Sequence, residues 1–342
     1  MSIRQLKMLM AAVTMLAAAG ADAQDGSAGK VAPKLPEATV HGNVLSPPDS
    51  KSIPVGVDKV NPAPRPFPSE FAKPPVEFRL WENGGAPGNP EALHKGQLAS
   101  KKGAAIMNWG IPSIVVWEPL KAGTNRKAIM LCPGGAYQNI CTDWRPQVDG
   151  FLQDGYVVFM LKYRTVPGSE ECEKYSLMDA KRAIRFIRTY APRYGIDTDR
   201  IGVAGSSAGS NLVLNLITHP DAGNPKDEDI LERPGTQVAF AAMLSPWFPG
   251  KRRVGDYPIG KDTPPSFIAT AKDDTGAPTS WAVSISDAYG KAGVPHFLFQ
   301  IEKGNHGAFD TSKPDAEVSN WRTLFMEWLG KTLPESKKSS QP

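Results

Sequence analysis

Two serines stand between glycines in "IGVAGSSAGSNLVL", where a short apolar run passes through five small residues directly into a second apolar run. Gly205-Ser206-Ser207-Ala208-Gly209 has the form G-x-S-x-G, with Ser207 at the apex of a sharp strand-to-helix turn. Small flanking residues let the backbone crowd there. The turn lifts the Ser207 hydroxyl above the sheet, and the start of the next helix points N–H groups and partial positive charge at it. Alone, such a turn also suits phosphate cradling. Its place after "RIGVA" and before "NLVLNLI" is the context a serine nucleophile requires.

A serine hydroxyl is a weak nucleophile at neutral pH and needs a base, held in turn by a third group. The chain has five histidines. His41 falls in a proline-rich stretch, His94 in an early loop, His219 beyond the elbow helix and His296 at the start of a strand. His306, in "FQIEKGNHGAF", follows the last apolar strand in a glycine-flanked loop, at the end of the sheet where doubly wound proteins place their sites. The orienting acid is expected to precede it beyond the penultimate strand, where "SFIATAKDDTGAP" offers Asp273 and Asp274. One of the two is expected to face solvent or cap a loop. Donors for an oxyanion are expected from "LCPGGAYQN", from the backbone N–H of Gly135 or Ala136, together with that of Ala208. Tyr137 and Trp144 lie just beyond and are candidates to stack on a sugar ring, with core packing an equal alternative for Trp144.

These pieces require a sheet to carry them. "SIVVWEP", "KAIMLC", "YVVFMLKY", "RIGVAG", "VAFAAMLS", "SFIATA" and "HFLFQIE" are short apolar runs, as strands buried on both faces would be. Helical spacing of Leu177, Ala180, Ala183, Ile184 and Ile187 predicts a helix ending at Gly195, and further helices are expected over 208–218, about 278–291 and about 316–329. Strand alternating with helix implies an α/β fold, a mostly parallel, doubly wound sheet with helices on both faces.

Around this catalytic segment, 76–333, the chain changes character. Arg4 and Lys7, an apolar run to about Gly20 and Ala21-Asp22-Ala23 read as a signal peptide over 1–23, too short to favour a membrane span. The expected mature protein is exported, without an integral span after cleavage. Residues 24–75 are rich in Pro, Ser, Lys and Gly and read as a linker or surface arm, and 334–342 as a polar tail. Of three cysteines, Cys132 closes a core strand, and Cys141 and Cys172, in two expected loops, are the more suitable disulfide partners. Metal-binding Cys or His spacings are missing, so neither a metal nor another cofactor is implied. A net charge of +4, dense only at Lys251-Arg252-Arg253 and in the tail, argues against nucleic acid as a partner. Oligomeric state is left open. The segment "SPWFPGKRRVGDYPIGKDTPP" could form a rim over the site or a packed loop, with Trp247, Phe248 and Tyr257 serving either.

In order, "LWENGGAPGNP", "IMLCPGGAY", "YVVFMLKYR", "DAKRAIRFIRTYAPRYGIDTDRIGVAGSSAG", "PPSFIATAKDD" and "YGKAGVPHFLFQIEKGNHG" make the chain resemble an α/β-hydrolase, more narrowly the exported carbohydrate-esterase branch that includes acetylxylan esterases. The resemblance covers most of 78–330. It implies Ser207 as nucleophile, His306 as base, Asp274 (four residues before Pro278) as acid and Gly134 to Ala136 as oxyanion loop. Ala136 and Ser210 stand where the family commonly has glycine. An alanine donates from its backbone as glycine does, but it adopts a positive φ less readily. The implied activity is hydrolysis of short acyl esters, acetyl foremost, on polysaccharides or their oligosaccharides. The alternatives are a feruloyl-type or general carboxylesterase on small esters and a catalytically silent binding protein. A peptidase of this fold would bring an extra propeller or cap domain, for which the chain has no room.

Overall fold

The computed structural model describes residues 39–40, 67–81, 86–88, 98–99, 105–107, 109–121, 123, 126–141, 144–165, 171–309 and 321–333. The expected signal peptide, most of the proline-rich segment and the polar tail lie outside them. All seven apolar runs form strands. They are β5 (Ser113–Trp117), β6 (Arg126–Cys132), β8 (Val157–Lys162), β9 (Ile196–Ser206), β10 (Phe240–Leu244), β11 (Ser266–Ala271) and β12 (His296–Ile301). With β1 (Thr39–Val40) and β2 (Val76–Arg79) they make a nine-stranded sheet in the order β1-β2-β5-β8-β6-β9-β10-β11-β12. From β8 through β12 every pairing is parallel, while β1, β2 and β5 pair antiparallel at one edge. A separate three-stranded sheet joins β3 (Leu98–Ala99), β4 (Ala105–Met107) and β7 (Asn139–Cys141).

The α-helices among the described residues are α1 (Arg145–Gln153), α2 (Cys172–Tyr194), α3 (Ala208–Thr218), α4 (Thr279–Ala292) and α5 (Trp321–Thr332). The expected helix over 316–329 is thus described from Trp321, residues 316–320 lying outside. α2 ends where its sequence says, since Gly195 takes φ 63° and closes the helix with its N–H on the Pro192 carbonyl. α1 has no counterpart among the expected elements, because "RPQVDGFLQ" carries a Pro and a Gly in nine residues. Its Pro falls at the first turn, where the missing N–H costs little.

The sheet separates two apolar layers. On one side Met130, Phe159 and Val203 meet Ala183, Phe186 and Leu212 of α2 and α3; on the other, Ile129, Leu131 and Phe267 meet Phe151 of α1 and Trp321 and Phe325 of α5. The central strands are buried on both faces, as their unbroken apolar sequence requires. β12, an edge strand, is only half covered. The proline-rich stretch contributes at both ends of its described parts. Thr39–Val40 pairs with β2, and Phe67 accepts a hydrogen bond from the Trp117 indole at 2.9 Å.

One buried ion pair links the sheet to α2. Arg164, just past β8, and Asp179 on α2 have side chains 0% exposed, with guanidinium Nη2 2.8 Å and Nε 3.0 Å from Oδ1. The Arg164 backbone N–H also donates to Asp179 Oδ2 at 2.7 Å. A pair this deep adds little over an apolar pair, but breaking it strands a charge. Asp179→Asn is therefore expected to lower the unfolding free energy by about 3–5 kcal/mol in urea titrations. A loss under about 1 kcal/mol, the range of exposed pairs, would show that water reaches Arg164.

Candidate active site

Four loops meet at the carboxyl end of the parallel strands, and the site is assembled from them. Ser207 lies between β9 and α3 with φ 52° and ψ −122°, a conformation forced on a non-glycine residue by the tight turn. The glycines around it have no room for a side chain. A Cβ on Gly205 would fall 2.2 Å from the Gly209 carbonyl oxygen, and one on Gly209 only 1.9 Å from that of Cys132. These contacts answer why small residues bracket the serine.

His306 reaches Ser207 from the loop after β12, three strands away, about 14 Å at about 4.8 Å per strand. Its Nε2 is 2.9 Å from Ser207 Oγ and its Nδ1 is 3.0 Å from both oxygens of Asp274. Asp274 comes from the loop after β11, and its carboxylate is buried at 0% exposure, with Oδ1 also accepting the N–H of Gly276 at 2.9 Å and of Ala277 at 2.7 Å. Burial alone would raise its pKa. The bond from His306 and the two backbone donors outweigh burial and hold the carboxyl below its usual value of 3.8.

Asp273, the other aspartate of the pair, points elsewhere. Its Oδ1 accepts the N–H groups of Gly304 at 2.9 Å and Asn305 at 2.8 Å, so it ties down the loop that carries His306. Asn305 itself has φ 55°, and its side chain accepts the His306 N–H at 2.8 Å.

Gly134 brings the glycine-rich loop against the serine. A Cβ there would meet Ser207 Cβ at 3.1 Å and the Ser206 carbonyl oxygen at 3.0 Å. The loop then takes three positive φ values in succession: Gly135 134°, Ala136 52° and Tyr137 57°. Ala136 thus occupies the left-handed region its sequence makes uncomfortable. The Gly135 carbonyl accepts the N–H groups of Gln138 and Asn139, which closes the turn. Ala208 is the first residue of α3, so its N–H has no acceptor within the helix.

Two expected contacts are corrected. Trp144 caps α1 and is 1% exposed in the apolar layer with Val115, Trp117 and Leu131, so its ring has no face for a sugar. Tyr137 is also 1% exposed, with its ring near Tyr163 and Trp247 and its hydroxyl donated to Asn211 Oδ1 at 2.7 Å. The two rings lie in different layers, Tyr137 with Met130 and Phe159 and Trp144 with Leu131 and Phe151. The cysteine expectation changes too, since no disulfide joins any two of the three cysteines. Cys141 is exposed at the end of β7, whereas Cys172 is buried in the first turn of α2, where burial pushes its thiol up to about 11. Cys132 is a buried apolar group at the end of β6, its thiol likewise raised by burial.

The segment after β10 is a packed loop. Phe248 and Tyr257 are 2% and 4% exposed, and Trp247 is half-buried. Sequence reasoning missed Asn211, Glu173 and Ser245. Ser245, at the end of β10, has φ 44°, and its buried hydroxyl has no partner among the described residues. Polar residues inside "NLVLNLI" and in the first turn of α2 were the available signal for Asn211 and Glu173.

This strand order and these loops are those of the α/β-hydrolase fold, and the chain has that fold. A family model described as BD-FAE matches residues 115–233. Among solved structures, an acetyl ester-xyloside bifunctional hydrolase from Caldicellulosiruptor lactoaceticus is 25% identical with a TM-score of 0.62, over 75% of this chain and 96% of that one. Thermogutta terrifontis esterase 2 shares the fold at 24% identity and a TM-score of 0.57, over 65% of this chain and 90% of that one. The endo-1,4-beta-xylanase B of Butyrivibrio fibrisolvens is 27% identical over 57% of this chain and 34% of its own length. Esterase LipQ of Mycobacterium tuberculosis is 25% identical over 57% of this chain and 53% of its own. The chain thus spans between about a third and about half of the curated relatives it matches.

Two measurements follow from this geometry. A Cβ on Gly276 would sit 2.7 Å from Cγ of His306, so Gly276→Ala must displace the imidazole, although residue 276 is exposed. A displacement near 1 Å costs on the order of a hundredfold in kcat/KM. The melting temperature is expected to stay within about 2 °C of wild type, since surface changes alter stability by about 0.5 kcal/mol or less. Unchanged activity would show that the imidazole relocates without consequence.

Because the Asp274 pKa is lowered on folding, its contribution to stability is complete above its unfolded value and is lost as pH falls through and below it. Asp274 is therefore expected to contribute no ionisation to the kcat/KM profile between about pH 5 and 8. Two ionisations in that window would contradict a permanently charged Asp274.

Proposed function

We propose that the chain is a serine esterase that removes short acyl groups, acetyl foremost, from polysaccharides such as xylan or from their oligosaccharides. The observation that carries this reading is the continuous line from Ser207 Oγ through His306 to the buried Asp274 carboxylate, at 2.9 Å and 3.0 Å. Ser207 Oγ attacks the ester carbonyl carbon while His306 Nε2 takes its proton, and Asp274 holds Nδ1–H and stabilises the imidazolium. The N–H groups of Gly135 or Ala136 and of Ala208 donate to the oxygen that becomes negative. Collapse expels the sugar alcohol, which receives the proton from His306, and leaves an acyl-Ser207. Water, deprotonated by His306, then releases the carboxylic acid and restores the serine.

The acetyl ester-xyloside hydrolase and the xylanase support a carbohydrate substrate, and LipQ supports ester hydrolysis. The leader-like N-terminus supports action outside the cytoplasm. A general carboxylesterase on small esters is the second reading, favoured by one observation. The two aromatic rings best placed in sequence to stack on a sugar, Tyr137 and Trp144, are internal. A silent binding protein is disfavoured by the intact hydrogen-bonded triad.

Acetate release from acetylated xylan, with p-nitrophenyl acetate as reference, separates these readings. Wild type is expected to act on both substrates and Ser207→Ala on neither, with turnover lower by on the order of a millionfold. Activity on the small ester alone selects the second reading, and equal rates for both proteins refute the mechanism.

A further inference from the structure

Three consecutive positive φ values, two of them on non-glycine residues, keep the loop from Gly135 to Tyr137 in a conformation that persists only if its surroundings over-determine it. The Gly135 carbonyl supplies part of that constraint, and the Tyr163 side-chain hydroxyl, which donates to the Pro133 carbonyl at 2.7 Å, supplies another. The remainder comes from a buried chain of side chains running away from the site.

The Tyr137 hydroxyl donates to Asn211 Oδ1 at 2.7 Å, and Asn211 Nδ2 donates to the Tyr257 hydroxyl at 2.5 Å. Tyr257 donates to Glu173 Oε1 at 2.7 Å, and Arg252 Nε donates to Glu173 Oε2 at 3.0 Å. Tyr137, Asn211, Tyr257 and Glu173 are 1%, 1%, 4% and 7% exposed, while Arg252, at the far end, is half exposed. The direction of every bond in this chain is set by one group. An ionised carboxylate only accepts, so Tyr257 spends its single proton on Glu173 and must accept from the Asn211 amide. The amide is thereby oriented with its oxygen toward Tyr137, whose proton is committed in turn. Reversing any one member would leave a buried donor facing a donor.

Asn211 also sits on the nucleophile's own helix, with its backbone N–H on the Ser207 carbonyl at 3.2 Å. Through this one side chain the loop of Gly135 and Ala136 is fastened to the helix that begins at Ala208. Those are the two halves of the expected oxyanion hole. Donors in such a hole act only when aimed at the position the negative oxygen will occupy.

We infer that Asn211, Tyr257 and Glu173 are positioning residues of the oxyanion loop, a one-way hydrogen-bond chain anchored on the Glu173 carboxylate that sets the distance between the N–H of Ala136 and that of Ala208. The inference rests on the serine-esterase reading and adds to it three residues that touch no substrate. Its consequence is a division of roles: the chain acts on the charged tetrahedral state and leaves binding of the neutral ester unaffected.

The test uses the full chain, wild type and two variants. Tyr257→Phe keeps the ring against Phe248 and removes only the hydroxyl, and Glu173→Gln keeps the shape and removes the fixed direction of the chain. Both are expected to lower kcat on p-nitrophenyl acetate by on the order of tenfold to a hundredfold, with KM within about threefold. Inhibition by a trifluoromethyl ketone, whose adduct with serine carries the oxyanion, is expected to weaken by the same factor as kcat/KM. Phosphonylation of Ser207 by a fluorophosphonate is expected to slow in parallel. If Tyr257→Phe proves unstable on melting, Glu173→Gln decides. Variants with wild-type kcat and inhibitor affinity, or with kcat, KM and melting temperature all shifted together, overturn the inference while the esterase reading stands. A wild type that is phosphonylated but turns over no ester ends the esterase reading alone, and the labelling rates of the variants then decide the inference. A wild type that is not labelled overturns both.

Discussion

The carbonyl oxygen of Cys132, at the end of β6, lies 1.9 Å from where a Cβ on Gly209 would be, and the Gly209 carbonyl lies 2.2 Å from a Cβ on Gly205. This three-way approach of β6, β9 and α3 fixes everything above it. It is possible only without side chains at 205 and 209, and it forces Ser207 to φ 52°. Strain at Ser207 is thus the cost of placing a hydroxyl at the lip of a parallel sheet with a helix start directly behind it. The strand order then dictates reach, since the acid and the base arrive from β11 and β12 over the top of β10.

Among the described residues, the non-glycine positions with positive φ are Ala136, Tyr137, Ser207, Ser245 and Asn305. They follow β6, β9, β10 and β12, all at the carboxyl end of the sheet. Backbone strain is therefore concentrated at one end of the molecule, and polar contacts hold each piece in place. Asp273 caps the His306 loop, Asn211 fastens the Tyr137 loop, and the Gly276 and Ala277 N–H groups fix Asp274. Away from the site, the buried Arg164–Asp179 pair joins β8 to α2, the helix that also carries Glu173. The layers supply rigidity and the loops use it.

Sequence displayed the central parallel strands because they are buried on both faces and so read as unbroken apolar runs, and it displayed the half-covered edge strand β12 because that run is apolar as well. It displayed α3 because the elbow defines its start. It did not display α1, where a Pro and a Gly interrupt helical periodicity, or the short strands β3, β4 and β7, which have two or three residues each. Ser207 and His306 were legible because chain order and loop position restrict them; the same rules left Asp273 and Asp274 both open, and only the family resemblance pointed to Asp274, which the structure places against His306. Tyr137 is in the core where a sugar contact was expected, and of the two alternatives for Trp144 the core one holds, for a physical reason: aromatic type indicates an apolar partner, and only the fold decides whether that partner is ligand or core. The disulfide expectation did not hold: Cys172 is buried in the first turn of α2, Cys141 is exposed at the end of β7, and no disulfide joins them. Asn211 and Glu173 belong to a network whose hydrogen-bonded pairs lie 74, 46 and 84 residues apart in sequence, Tyr137 to Asn211, Asn211 to Tyr257 and Tyr257 to Glu173, and periodicity carries no trace of it.

Whether Ser207 is the nucleophile is tested most directly by treating the purified chain with a fluorophosphonate and mapping the adduct by mass spectrometry of its peptides. The account predicts one adduct, on Ser207, formed in the wild type and lost in both His306→Ala and Ser207→Ala. An adduct on another serine, or labelling that persists unchanged without His306, would contradict it.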